Sequence, residues 1–192
     1  MARDRASRPE AKPLRLFAAV EIPEQVRGAL AEAVAPVRER FPKARWVPLE
    51  NQHVTVKFLG STWPRLAEWV PETISGVAVR QEPFTTRVEG LGAFPKARTA
   101  RVLWAGLGDA AGRLERLAAD LDEALTREFA PEKRAFTPHL TLARFDPPVG
   151  LEPFEAAFES QPFECDRIVL FRSHLRRPAP VYEPIGVFPL AG

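Results

Sequence analysis

Two short stretches of the chain carry the same residue types at the same spacing. Residues 53–56 read His-Val-Thr-Val and residues 139–142 read His-Leu-Thr-Leu. The chain has three histidines and nine threonines, so two of its three histidines sit two positions before a threonine. In a β-strand, residues two apart project from one face. His53 and Thr55 then point one way and Val54 and Val56 the other; His139 and Thr141 behave alike, with Leu140 and Leu142 opposite. A helix would splay each pair, and β-branched neighbours favour the strand. Two such strands facing each other give a site of two imidazoles and two hydroxyls. An imidazole titrates near pH 6.5, so one can be neutral and take a proton from water while the other is charged and protonates a departing oxygen. Threonine hydroxyls can donate to the non-bridging oxygens of a phosphate, where negative charge concentrates. That set suits phosphoryl transfer without a metal.

The competing reading is a zinc site, since three histidines can ligate zinc. Neither motif offers a second close ligand, and threonine is a poor one. No metal and no cofactor are therefore expected. His174, in Arg-Ser-His-Leu, has no threonine two positions on and reads as a loop residue. The single cysteine, Cys165, excludes an internal disulfide and a cysteine-based metal cluster.

Beyond the motifs, the chain resembles the 2H phosphoesterase superfamily and, within it, the RNA 2′,3′-cyclic phosphodiesterases, historically called 2′-5′ RNA ligases. The resemblance runs through Arg15-Leu16-Phe17-Ala18, Trp46, Lys57-Phe58-Leu59-Gly60, Gly92-Ala93-Phe94-Pro95, Arg101-Val102-Leu103-Trp104, Phe136-Thr137-Pro138-His139, Leu170-Phe171-Arg172-Ser173 and Tyr182-Glu183. It spans about Leu14 to Val187 and departs from the family's pattern at His174, where another polar residue is common. The resemblance implies an α+β fold of two lobes, in which two antiparallel sheets face a central cleft and helices cover their outer faces. It also implies hydrolysis of a terminal 2′,3′-cyclic phosphate to a 2′-phosphomonoester. In that scheme His53 activates water, His139 protonates the leaving 3′-oxygen, and Thr55, Thr141 and Arg144 bind the phosphate. Ligation of RNA ends through a 2′-5′ linkage would use the same residues in reverse. A non-catalytic module that binds nucleotides or RNA ends is the third reading, against which the two complete His-Thr pairs argue.

Strand parity bears on the neighbours. His139, Thr141 and Ala143 share a face, so Arg144 reaches the cleft only if a bulge or strand end follows Leu142. Parity puts Lys57 on the cleft side with His53, in contact with substrate or solvated at the rim. Phe17 and Trp46 read as core packing, with stacking on a base as the alternative.

These residues need strands to hold them. Strands are expected at Leu14–Ile22, Arg45–Pro48, Gln52–Leu59, Phe84–Leu91, Arg101–Leu107, Thr137–Phe145, Asp166–Phe171 and Val181–Val187. Helices are expected from Pro23 to about Phe41, from Pro64 to about Ser75, from Asp109 to Phe129, and near Phe154–Phe158. Helix 109–129 has the clearest apolar stripe, Leu114, Leu117, Leu121, Leu125 and Phe129, with Asp109 as its cap. Its Arg113, Glu115 and Arg116 read as a solvated face. The order strand–helix–strand, met twice, points to antiparallel sheets rather than a doubly wound fold.

At 192 residues the chain suits one domain, residues 14–192, with 45% apolar and 27% charged residues. Residues 1–13 are basic, have no apolar segment behind them, and read as a disordered tail rather than a secretory signal. No stretch is apolar for the roughly 20 residues that a membrane helix needs. The net charge of +2 fits a terminal phosphate ligand and gives no sign of wrapping long nucleic acid. The expected partners are RNA ends or nucleotides with a 2′,3′-cyclic phosphate, the expected setting is cytoplasmic, and a monomer is expected.

Overall fold

The computed structural model describes residues 12–109, 111–151 and 157–192. Residues 1–11 of the basic tail and most of the helix expected at 154–158 lie outside these residues.

Ten strands are described, and every pairing between them is antiparallel. In chain order they are β1 (Leu14–Glu21), β2 (Arg45–Trp46), β3 (His53–Thr62), β4 (Phe84–Thr86), β5 (Val88–Phe94), β6 (Ala100–Leu107), β7 (His139–Val149), β8 (Phe163–Cys165), β9 (Arg167–His174) and β10 (Val181–Pro189). One sheet has the order β10-β9-β1-β3, a second has β2-β7-β6-β5, and β4 pairs with β8 in a short ladder of their own. The motif strands are thus β3, at the edge of the first sheet, and β7, separated from the edge of the second only by the two-residue β2. The two strands touch where the sheets meet.

Four α-helices are described: α1 (Glu24–Ala33), α2 (Ala35–Arg40), α3 (Trp69–Ala78) and α4 (Arg113–Leu125). Helix α3 packs on α4, β9 and β10, and α4 packs on β3. The expected stripe holds: Leu114, Leu117, Leu121 and Leu125 are fully buried. Each stabilises by about 2 kcal/mol relative to an exposed side chain. They join one continuous core with Val54 and Val56 below the first motif and Leu140 and Leu142 below the second. The motif faces that were expected to be buried are buried.

Helix ends differ from expectation for local reasons. The helix expected to run to Phe41 breaks at Val34, because Pro36 has no N–H for the Glu32 carbonyl and its ring crowds that group. The helix expected from Pro64 begins at Trp69, after a separate 3₁₀ turn at Pro64–Leu66. Pro71 is tolerated only in a first turn. The helix expected from Asp109 begins at Arg113. Asp109 still caps it from the preceding loop, accepting the N–H groups of Arg113, Leu114 and Glu115 at 2.7, 2.9 and 3.2 Å. The single strand expected at 84–91 divides at Arg87 into β4 and β5, which pair with different partners.

A common irregularity of β3 and β7 positions the site. Ala18 pairs with Lys57 and Ala19 with Thr55, so Val56 is an extra residue in β3. Leu103 pairs with Ala143 and Trp104 with Thr141, so Leu142 is an extra residue in β7. Each is a β-bulge at the fourth motif position, and a bulge reverses side-chain parity. Both strands accordingly show the same burial sequence over seven residues, with two adjacent buried positions after the motif threonine.

Candidate active site

The two bulges turn Phe58 and Arg144 outward and Lys57 and Ala143 inward. Arg144 therefore reaches the cleft side, by the route that parity required. Lys57 does not: it is 6% exposed and ion-paired with Asp122 of α4. Its Nζ also donates to the Ala130 carbonyl at 3.3 Å, and Asp122 accepts the Glu132 N–H at 3.0 Å. Lys57 thus ties β3 to the segment that leads into β7 and takes no place in the cleft.

The cleft between the sheets encloses about 1050 Å³. His53, Thr55, His139, Thr141 and Arg144 all line it. Five positions read from the sequence, drawn from strands more than 80 residues apart, therefore meet in one cavity.

The surroundings of the two imidazoles differ. His53 stacks on Phe17 with ring centres 4.7 Å apart, and Tyr182 meets it edge-on at 5.3 Å. Phe171 stacks behind Phe17 at 5.3 Å. This wall excludes water from the ring. Burial pushes its pKa down to about 4, against a smaller opposing effect of its hydrogen bond to the Asn51 backbone. His53 is therefore neutral at pH 7. Its Nε2 lies 3.1 Å from Thr55 Oγ1. His139 is more open. Its Nδ1 donates to the Thr137 carbonyl at 2.7 Å, and Nε2 has no hydrogen-bond partner among the described residues. Phe94 meets it edge-on at 5.3 Å. Behind Phe94 the Trp104 ring lies flat over Gly92, where a β-carbon would stand 2.2 Å from the indole. Each histidine is thus held through the backbone of the residue two positions earlier and set against an aromatic wall.

Further residues, to which the sequence assigned no role in the site, line or hold it. Asn51 donates from Nδ2 to the Pro180 carbonyl at 2.8 Å and so ties the turn before His53 to the loop joining β9 and β10. Tyr182, the only tyrosine in the chain, lines the cleft beside His53. Burial raises the pKa of its hydroxyl, and the charges of Arg144 and Arg15 oppose that rise. These two arginines, one from each sheet, thus bear on the same group. Its rarity and its place in the Tyr182-Glu183 stretch of the resemblance were the signals available; Asn51 acts partly through its backbone and gave none. Phe17 is buried, as core packing requires, but packs on the catalytic candidate itself; Trp46 lines the cleft and donates from Nε1 to the Phe41 carbonyl at 3.1 Å. His174 closes the base of the β9–β10 hairpin, with Nε2 2.7 Å from Glu183, which it holds below the usual carboxylate range. Among the described residues no group of three His, Cys, Asp or Glu side chains stands close enough to hold a metal ion. No helix among them is long and apolar enough to cross a membrane.

A family model described as the 2′-5′ RNA ligase superfamily matches residues 23–177. An RNA 2′,3′-cyclic phosphodiesterase of Thermus thermophilus is 36% identical over 190 residues, covering 93% of this chain and 91% of that protein. One of Geobacillus stearothermophilus is 33% identical over 183 residues, covering 92% of this chain but 57% of that longer relative. Among solved structures, a protein of Thermus thermophilus superposes with a TM-score of 0.78 at 30% identity, over 93% of this chain and 99% of that one. E. coli LigT complexed with 3′-AMP superposes with a TM-score of 0.72 at 25% identity, over 94% and 99%.

Proposed function

The chain belongs to the 2′-5′ RNA ligase superfamily, and from that membership we propose that it is an RNA 2′,3′-cyclic phosphodiesterase in which His53 is the base and His139 the acid. The observation that carries this reading is the pair of matching bulged strands that deliver two imidazoles, two threonine hydroxyls and Arg144 to one cleft.

The desolvation of His53 supports these roles. A general base must be unprotonated at the working pH, and desolvated His53 is. Its Nε2 takes a proton from water as the water oxygen bonds to phosphorus. The bond from phosphorus to the 3′-oxygen breaks, and His139 in its charged form gives that oxygen a proton. The products are a 2′-phosphomonoester and a free 3′-hydroxyl, and proton exchange with solvent restores both rings. The backbone bond at His139 Nδ1 fixes the ring so that Nε2 carries the transferred proton. Thr55, Thr141 and Arg144 hold the non-bridging oxygens, where fixed donors stabilise the charge of the transition state.

Alanine at either histidine tests this. Loss of a positioned acid or base costs about 10²–10⁴ in rate. His53→Ala and His139→Ala should each lower turnover of a 2′,3′-cyclic nucleotide by at least about 10²-fold. EDTA should leave the parent enzyme unchanged, and the product should carry a 2′-phosphate by ³¹P NMR. Parent-level turnover by His53→Ala would overturn the assignment.

A further inference from the structure

The cleft carries more positive charge than its proposed reaction needs. Five arginines line it: Arg15, Arg45, Arg144, Arg176 and Arg177. No aspartate or glutamate is among the described lining residues. None of the five is ion-paired with a carboxylate among the described residues; Arg15 instead lies 4.7 Å over the Phe58 ring. The whole chain has a net charge of only +2, so these five charges are a local concentration. Unneutralised like charges in one cleft repel each other and favour an anionic ligand. A terminal cyclic phosphate brings one negative charge.

The arginines fall into two groups. Arg144 and Arg45 are backbone partners across β7 and β2, and the charges of Arg144 and Arg15 both bear on the Tyr182 hydroxyl beside His53, so these three belong to the strands that carry the proposed reaction centre. Arg176 and Arg177 stand apart, exposed in the loop between β9 and β10. That loop is tied at both ends: His174 bonds Glu183 at its base, and Asn51 bonds Pro180 beside the first motif. A guanidinium pair on a tethered loop at the cleft's edge suits a phosphate, which arginine binds through two parallel donors.

We propose that Arg176 and Arg177 form a second phosphate site that takes a phosphate on the 5′-oxygen of the terminal nucleotide, so that the preferred substrates carry that phosphate. The site rests on the cyclic phosphodiesterase reading for its orientation: with the cyclic end between the histidines, the 5′ side of the same nucleoside extends toward the rim. The 5′-phosphate can be the phosphodiester of an RNA chain or the terminal phosphate of a free nucleotide.

Three substrates separate these cases: 2′,3′-cyclic AMP, its 5′-phosphorylated form, and the dinucleotide ApA ending in a 2′,3′-cyclic phosphate. The proposal expects kcat/KM at 50 mM NaCl to rise about tenfold or more when a 5′-phosphate is added. A gain that rests on charge is screened by salt, so a fourfold rise in salt should shrink it. An equal gain for both phosphorylated substrates assigns the site to any 5′-phosphate; a gain for the dinucleotide alone assigns it to chain phosphodiesters. The double variant R176A/R177A should erase the gain and leave turnover of 2′,3′-cyclic AMP unchanged. Equal kcat/KM and equal salt slopes for all three substrates would overturn the site while the hydrolytic reading stands. Should no substrate turn over, that reading fails, and binding of adenosine 3′-phosphate with and without a 5′-phosphate still decides: tighter binding of the second that R176A/R177A abolishes supports the site, and equal affinity overturns it.

Discussion

The neutrality of His53 has a measurable consequence in the acid range. The ordinary imidazole value is 6.5, and in the folded protein burial lowers that of His53 to about 4. The difference corresponds to roughly 3 kcal/mol disfavouring the imidazolium, at about 1.36 kcal/mol per unit. The kcat/KM profile of the free enzyme reports the essential base, so its acid limb should fall near pH 4. At pH 5 a base titrating near 4 is about nine-tenths active, whereas one at 6.5 is about 3% active. Kinetics on a cyclic nucleotide between pH 3.5 and 7 distinguish the two directly. The cause can be tested separately. Tyr182 covers one side of the ring, 5.3 Å away and itself only part-buried. Tyr182→Ala should admit water and raise the limb by about one unit, which recovers about 1.4 kcal/mol of the penalty. Stability should follow the same sign. The folded value lies below the unfolded one, so the neutral ring's contribution is complete above pH 6.5 and is lost as pH falls toward 4. An acid limb near 6.5 in the parent enzyme refutes the desolvated base. A limb unmoved in a folded Tyr182→Ala protein refutes the aromatic wall as its cause.

Two further substitutions test how the site is held. Lys57→Met removes the cation that binds Asp122 and the Ala130 carbonyl, and hydrogen bonds to a charged group contribute about 2 kcal/mol. For a chain of this size the melting temperature should drop by about 4–8 °C; a drop confined to about 1 °C in a thermal scan would deny Lys57 its tethering part. Gly92→Ala sets a methyl group 2.2 Å from the Trp104 ring, and such overpacking costs about 1–3 kcal/mol. Because that ring and Phe94 wall His139, kcat should fall together with urea stability, and a fall in stability with kcat intact would separate the wall from the chemistry.

Much of the site was legible in the sequence because its information is local. A spacing of two in a strand fixes which side chains share a face, so His53 with Thr55 and His139 with Thr141 could be paired from types and positions alone. The α4 stripe was legible for the same reason, since 3.6-residue periodicity is a property of the segment. Helix ends were less so: Pro36 and Pro71 act through carbonyls three or four residues away, and Asp109 caps from a loop ahead of its helix.

What only the tertiary structure decided depends on partners distant in the chain. Whether Arg144 or Lys57 enters the cleft turns on bulges at Val56 and Leu142, and a bulge is set by how a strand registers against its neighbour. The sequence left Lys57 on the wrong face because alternation was extended through that extra residue. His53 is neutral because Phe17 and Tyr182, from β1 and β10, exclude water from its ring. The five arginines lie as far apart as Arg15 and Arg177 and form one field only when the sheets close on each other. Residue type and spacing specify which groups can react. Their protonation, their facing and the charge around them are sums over neighbours that folding alone brings within reach.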